Sequence, residues 1–248
     1  MRTNLYNFFS SKDLYKDLFA KNEEVKESDI YQKLKANNWE IIRKSYLKLD
    51  NELRTTKFET DLSGTTAVSL ILIGNKIISF NLGDSRAIMA QEKKSSLKEH
   101  CVPVQLSRDQ KPDLPEEKER IIRSGGQVNK LGDDDDDIGP YRVWVKGENY
   151  PGLAMSRSIG DFAAKSVGVI SDPEILEFEL TSDIKFIVLA SDGVWEFLSN
   201  KQVVDIVNRY YKSGEIQKAA DKLVEEATRY WKEEDEIIDD ITVVIVFF

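Results

Sequence analysis

The chain has 248 residues, of which 41% are hydrophobic and 32% charged; that is enough apolar material for one sizeable core, and no Pro/Ser/Gly-rich linker divides residues 1–248, which read as a single domain. Its 35 basic and 44 acidic side chains leave a net charge of −9, which argues against a general nucleic-acid or anionic-membrane surface. The single cysteine, Cys101, rules out an internal disulfide, and no apolar run approaches a membrane span or a secretory core, so the expected address is intracellular, cytoplasmic or nuclear.

Residues 1–60 carry helical patterns. Ser10 and Ser11 ahead of Asp13, Leu14, Leu18 and Phe19 read as a short capped helix, followed by a charged connection from Glu23 to Asp29. Ile30 and Leu34, then Ile42, Tyr46, Leu49 and Leu53, recur at three- and four-residue steps and predict one longer amphipathic helix packed on a sheet. From Ser63 the period becomes that of strands. Thr65 to Ile73, a Gly74-Asn75 turn and Lys76 to Leu82 predict a hairpin, with a third strand beginning near Arg86. In Gly83-Asp84-Ser85-Arg86 the aspartate is expected to cap its own turn and pair with Arg86, with a site role as the alternative, because turn aspartates so often bond their own backbone.

Residues 91–102 are polar and predict a loop. His100 and Cys101 are neighbours, which an extended chain points to opposite sides, so they make a poor Cys-His dyad. Cys101 to Arg108 also lacks the five-residue spacing of a cysteine phosphatase loop, and no Gly-x-Ser-x-Gly elbow supports a serine hydrolase. Gln105 to Pro112 ends a short strand in a polar turn and places Asp109 there. Leu114 to Ser124 then reads as a helix opened by Pro115 and closed by Gly125-Gly126. The five aspartates Asp133 to Asp137 lack the alternating ligand spacing of an EF-hand and read as a solvated, dispensable tip. Tyr141 to Val145 predicts a strand, residues 152–161 form a small-residue stretch ending in a turn, and Pro173 to Leu180 is expected to pair with residues 186–190.

Phe186 to Ala190 is an unbroken apolar run that reads as a strand buried on both faces, delivering Asp192 at its carboxyl end through Ser191-Asp192-Gly193. Asp239 and Asp240 immediately precede Ile241 to Phe248, the most strand-like run in the chain. If the two strands are antiparallel neighbours, Asp192 and Asp239 share one edge. Carboxylates so placed in a partly dry site predict a raised pKa or a bound hard cation, and the cation is the sharper reading. Between them, Ser199-Asn200 cap a helix with Val203, Ile206, Val207 and Tyr210 on one face. A second helix follows with Ile216, Ala219, Leu223, Ala227 and Tyr230. Helices at both ends with strands between predict an α+β fold, a β-sandwich of two antiparallel sheets flanked by helices on both faces.

Six phrases in order give the chain a family likeness: Ser63-Gly64-Thr65-Thr66-Ala67; Gly83-Asp84-Ser85-Arg86-Ala87; Asp109-Gln110-Lys111-Pro112 with Glu119-Arg120-Ile121; Leu153 to Asp161; Ala190-Ser191-Asp192-Gly193-Val194-Trp195; and Asp239-Asp240-Ile241-Thr242-Val243. Together they resemble the metal-dependent protein serine/threonine phosphatases, the PPM or type 2C family. The resemblance implies a metal cluster at one edge of the sandwich, with Asp192 and Asp239 ligating Mg²⁺ or Mn²⁺, and Asp109 with Asp192 holding a further, weaker ion. It implies hydrolysis of phosphoserine and phosphothreonine in a phosphoprotein substrate by a metal-activated water, without a covalent intermediate. Residues 110–146 would be the flap beside the cleft. The sequence departs from the family in lacking the first strands, with their phosphate-binding arginine, acidic pair and Asp-Gly-His-Gly-Gly phrase, so its catalytic residues stay unassigned. These residues alone are expected to be nearly inactive on a phosphopeptide, and the alternative is an impaired domain kept for binding. Gln110 stands where the family usually has His, and Asp240 where it usually has Asn.

Overall fold

The computed structural model describes residues 27–94, 99–132, 138–235 and 237–248; the helix expected at residues 10–19 and the aspartates at 133–137 lie outside the described residues. The predicted long helix is two, α1 (Glu27–Ala36) and α2 (Glu40–Leu53), the first starting inside the stretch expected to be a connection. Asn38 (φ 47°) and Trp39 (φ 59°) take left-handed backbone angles that no α-helix continues through. The break tucks the Trp39 ring against Phe80 and Tyr31, its indole N–H donating to Glu177 Oε1 at 3.2 Å. Ile42 and Tyr46 then face the sheet, with Tyr46 wholly buried.

A two-residue strand, β1 (Gly64–Thr65), precedes the expected hairpin of β2 (Ala67–Ile73) and β3 (Lys76–Leu82), whose turn uses the positive φ of Gly74 (57°). Within the predicted loop at 91–102, residues 91–94 and 99–102 instead belong to two paired strands. β4 (Arg86–Lys94) and β5 (Glu99–Gln105) pair from Ile88↔Gln105 out to Lys94↔Glu99. Polar side chains conceal such a pair because its backbone ladder needs no apolar face once the strands run to the rim of the sheet. His100 is exposed, and Cys101 is half-buried against the helix layer.

Beyond them come α3 (Pro115–Arg123), β6 (Gly126–Leu131), β7 (Ile138–Val145), β8 (Pro151–Leu153), β9 (Ile159–Gly160) and α4 (Phe162–Lys165). β6, β7 and β8 form their own sheet, and α3 closes over it through Ile121, Val128, Val143 and Val167; β9 pairs with β1. The chain ends with β10 (Glu174–Glu179), β11 (Ile184–Ala190), α5 (Asp192–Trp195), α6 (Asn200–Tyr211), α7 (Ile216–Glu234) and β12 (Val243–Phe247).

Two antiparallel sheets, β10-β3-β2 and β12-β11-β4-β5, face each other across Ile77, Met89, Leu106, Ile184 and Ile187. The expected pairing of residues 173–180 with 186–190 is incorrect: β10 pairs with β3, from Glu174↔Asn81 to Glu179↔Lys76. Residues 180–183 cross between layers, so β10 sends Phe178 and Leu180 into the sandwich interior and Ile175 toward the helices outside. β11 is apolar throughout because both faces are covered: Ile187 points into the sandwich, and Phe186 and Val188 lie under α6 and α7. Each such fully buried side chain contributes roughly 1.5–3 kcal/mol. On the other outer face Ile78, Phe80 and Leu82 lie beneath α1 and α2. The helices therefore flank the sandwich on both sides.

α6 begins with a capping box, Ser199 Oγ accepting from Gln202 N–H and Gln202 Oε1 from Ser199 N–H. Val203, Ile206 and Val207 are buried. In α7, Ala219, Leu223, Ala227 and Trp231 line the buried face, Tyr230 packs half-buried against the same core as expected, and Ile216 is 39% exposed. The Trp231 indole donates to Gly193 O at 2.7 Å, tying the long helix to the turn after β11.

Candidate metal centre

β11 and β12 are antiparallel neighbours, Ala190 opposite Val243. The pairing continues past both strands: Ser191 N–H donates to Thr242 O at 3.1 Å, and Ser191 Oγ donates to Asp240 O and accepts from Thr242 N–H, both at 3.0 Å. Gly193 is needed here, since a Cβ on it would sit 2.5 Å from Asp240 O. The carboxyl end of β11 and the residues before β12 thus meet at one edge, which carries Asp192 on one side and Asp239 on the other. Their charges act on each other. Burial, then Asp84, then Asp239 push the Asp192 carboxyl up to about 6, with Lys111 and the Gly193 N–H opposing.

Asp84 is the residue that sequence reasoning assigns to its own turn. Its side chain is 2% exposed, one oxygen lies 2.5 Å from Lys111 Nζ, and the other, Oδ1, accepts a hydrogen bond from no described residue. The expected pairing with Arg86 is absent. Arg86 opens β4 with its side chain toward the helix layer, 5.1 Å from the Trp195 ring, and its Nε and Nη2 grip Asp109 Oδ1 and Oδ2 at 2.8 and 2.6 Å. Its Nη1 reaches Asn200 Oδ1 at 2.7 Å. Asp109 therefore lies at the same corner, where its charge reaches Lys111, but both of its oxygens are turned to Arg86.

A buried amide holds the two turns together. Gln110 is fully buried; its Oε1 accepts from Gly83 N–H at 2.6 Å, its Nε2 donates to Asn81 O at 3.3 Å, and its own N–H donates to Gly83 O at 3.0 Å. Gly83 has φ 99°, and a Cβ there would meet Thr66 Cγ2 at 2.4 Å, so only glycine fits. Burial works against the Lys111 ammonium, yet the charge and hydrogen bond of Asp84 hold its pKa above the usual value.

The neighbouring α3 is anchored by Glu117, whose side chain is wholly buried. Arg120 Nη2 and Arg157 Nη2 approach it at 2.7 and 2.6 Å, and Ser156 Oγ donates at 2.5 Å. Burial disfavours the carboxylate, but these donors outweigh it and bring the pKa to about 2. Ser156 N–H also donates to Gln110 O at 2.9 Å, so this network reaches the Asp109 turn.

As they stand, no three Asp, Glu, His or Cys side chains among the described residues enclose a common point. The donors at the corner are nonetheless all carboxylate oxygens, one of them buried and without a partner, and Lys111 is the cation facing Asp84 and Asp192. That chemistry fits a hard divalent ion, which commonly keeps several waters and takes only one or two carboxylates from the protein. A cross-strand signal could have found Asp84: Ala190 pairs with Arg86 as well as with Val243, so the residues before Arg86 emerge at the edge where Asp192 emerges.

Among the described residues no helix is long and apolar enough to cross a membrane. Residues 10–235 match the sequence profile of the family described as protein phosphatase 2C. A probable protein phosphatase 2C from Arabidopsis thaliana is 41% identical over 220 residues, 86% of this chain and 57% of that protein. One from Oryza sativa subsp. japonica is 40% identical over 210 residues, 84% of this chain and 48% of its own length. The chain thus spans about half the length of these curated relatives. The crystal structure of a serine-threonine phosphatase 2C from Toxoplasma gondii superposes with a TM-score of 0.78 at 26% identity, over 98% of this chain and 77% of that one. With the family profile spanning most of its length, this chain belongs to the protein phosphatase 2C family.

Proposed function

We propose that the chain is a metal-dependent protein serine/threonine phosphatase domain acting on phosphoserine and phosphothreonine in phosphoproteins. Metal dependence is general in its family. Asp192 and Asp239 hold Mg²⁺ or Mn²⁺, and Asp109 with Asp192 supports a further, weaker ion. The observation that carries this reading is the excess of negative charge at the β11–β12 edge, which Lys111 offsets only in part: Asp84 and Asp239 add to burial in raising the Asp192 carboxyl to about 6. When bound, the ions supply a water acidic enough to be hydroxide near neutral pH and positive charge against the phosphate. The chain's own residues do the positioning. Ser191 fixes the spacing of the two segments, Gln110 holds the Asp84 turn to the Asp109 turn, and Arg86 orients Asp109, which has to share its oxygens with any ion it ligates. The flap, residues 110–146, is the region we assign to substrate contact.

A second reading, a domain that binds phosphoproteins without hydrolysing them, is favoured by the two-pronged hold of Arg86 on Asp109. Hydrolysis of a phosphothreonine peptide with millimolar Mn²⁺ separates the two. It is measured for this chain and for the chain extended by whatever sequence its reading frame encodes upstream. Turnover lost on chelation and in Asp239→Asn is the expected result; turnover indifferent to both overturns the proposal. Peptide binding without turnover in either form selects the second reading.

A further inference from the structure

We propose that the groove between α3 and the outer edge of β6 is a docking site for an extended, acidic segment of a partner protein, which adds to β6 as a further strand and sets its carboxylates against Lys118, Lys130 and Lys146. The groove lies within or beside residues 110–146, but the inference does not rest on hydrolysis at the metal corner, and an unphosphorylated peptide tests it.

The backbone supplies the first argument. In the sheet β6-β7-β8, β6 pairs with β7 alone, so among the described residues the N–H and C=O groups on its other side face no strand. Such an edge takes up an extended chain through main-chain hydrogen bonds. The helix does not seal it: a cavity of about 350 Å³ lies between the two, lined by Lys118 and Ile122 of α3, by residues 125–129 and by Lys146. Ile122 is 54% exposed, an apolar contact for every second side chain of an incoming strand. Charge supplies the second argument. The chain carries a net charge of −9, and each glutamate of α3 already has an arginine: Glu116 has Arg108, Glu117 has Arg120 and Arg157, and Glu119 has Arg123. Lys118 and Lys130 instead lie 5.7 and 5.3 Å from the centre of one ring, that of Tyr141. Neither they nor the exposed Lys146 forms an ion pair with a described residue. Three ammonium groups around one groove call for negative charge from outside it, and the free strand edge selects its form. A peptide matches that row of donors and acceptors with its own backbone, whereas a nucleic acid or a lipid headgroup offers only acceptors to it.

The test is fluorescence anisotropy of a labelled, unphosphorylated peptide that alternates glutamate with valine. It is compared with the same peptide carrying lysine for glutamate, with one N-methylated at alternate residues so that it cannot pair as a strand, and with a single-stranded RNA. The acidic peptide is expected to bind tightest. Lys146→Glu, at an exposed position, should weaken its binding, and Lys118→Glu with Lys146→Glu should weaken it at least about tenfold, whereas Lys57→Glu, beyond α2, should leave it unchanged. Circular dichroism confirms the fold of each variant. The peptide is also titrated into a chain with Asp133 to Asp137 replaced by serine, because these carboxylates follow β6 in the sequence and offer the same lysines an internal competitor; binding as tight as in the parent, or tighter, is expected. The inference falls if the acidic peptide binds no better than the basic one or the RNA, or if N-methylation leaves its affinity unchanged. It falls equally if folded Lys146→Glu and the folded double variant both bind as the parent does, or if the serine-substituted chain binds more weakly.

Discussion

Glu117→Gln asks whether α3 is held to the rest of the molecule by charge or by packing alone. The folded protein lowers the Glu117 carboxyl from its ordinary 4.5 to about 2, which corresponds to about 3 kcal/mol of stabilisation. The sign follows from the depressed value. The stabilisation is complete above about pH 4.5 and is lost as pH falls toward 2. At pH 7 the substitution removes the charge but not the other partners of the two arginines: Arg120 still donates to Gly168 O at 2.8 Å and Ser156 O at 2.9 Å, and Arg157 to Asp172 O at 2.9 Å. The cost therefore falls at the low end of that for breaking a buried ion pair, about 3 kcal/mol. For a chain of this size that lowers the melting temperature by about 6–12 °C. Urea and thermal unfolding of parent and variant at pH 7 and at lower pH provide the measurement. A difference below about 1 kcal/mol at pH 7, or one that does not narrow below pH 4.5, would refute the reasoning and leave the packing of Ile121 and Val128 as what holds α3.

Asp192→Asn should stabilise the metal-free protein at pH 8. Its carboxyl is raised from 3.8 to about 6, so ionisation opposes folding by about 2 kcal/mol above pH 6, after allowance for partial exposure, and the effect vanishes as pH falls toward 3.8. Urea unfolding with a chelator present reads it; a variant no more stable than the parent at pH 8 contradicts the assignment. Gly193→Ala places a methyl 2.5 Å from Asp240 O and should cost about 1–3 kcal/mol. It should also speed hydrogen exchange at the Thr242 amide, which donates to Ser191 Oγ, and parent-like exchange would show that the two segments do not depend on that close approach. Ile206, 7% exposed against Val188 and its neighbours, should cost at least about 3 kcal/mol when replaced by Asp, and a smaller loss in urea unfolding would mean that α6 lifts from the sheet to admit water.

The strands β11 and β12 are legible from sequence because burial on one or both faces demands an unbroken or alternating apolar run, and a short run of that kind bounded by turn residues suits few elements besides a strand. The β4–β5 arm is not legible. Glu92, Lys93, Lys94, Glu99 and His100 are held by a backbone ladder, to which side-chain composition is nearly blind. The break between α1 and α2 is hidden for a related reason: the apolar spacing from Ile30 to Leu53 survives it, because both helices pack on one sheet. The partner of β10 is a third kind of failure. Its residues show only which of its faces are apolar, and nothing in residues 174–179 distinguishes pairing beside β11 from facing it across the sandwich interior.

The site divides along the same line between local and cross-strand information. Asp192 and Asp239 can be placed together because each stands at the end of a strong strand, and a single assumption of antiparallel pairing joins them. Asp84 follows a weaker cue, a glycine-aspartate turn, in which the aspartate most commonly serves its own backbone; what overrules that local role is a contact with Lys111, 27 residues on, and a register between β4 and β11 that spans about a hundred residues. Asp109 stands at a strand end in the sequence and at the same corner in the fold, yet its side chain cannot be oriented from sequence while Arg86 is taken as the partner of Asp84. One wrong partner for one arginine thus misplaces two carboxylates. The correction is also physical: an arginine at the first position of β4 projects toward Trp195 and Asn200 in the helix layer, where Asp109 can meet it with both oxygens, while the carboxylate of Asp84, two residues earlier, is turned toward Lys111 and Asp192.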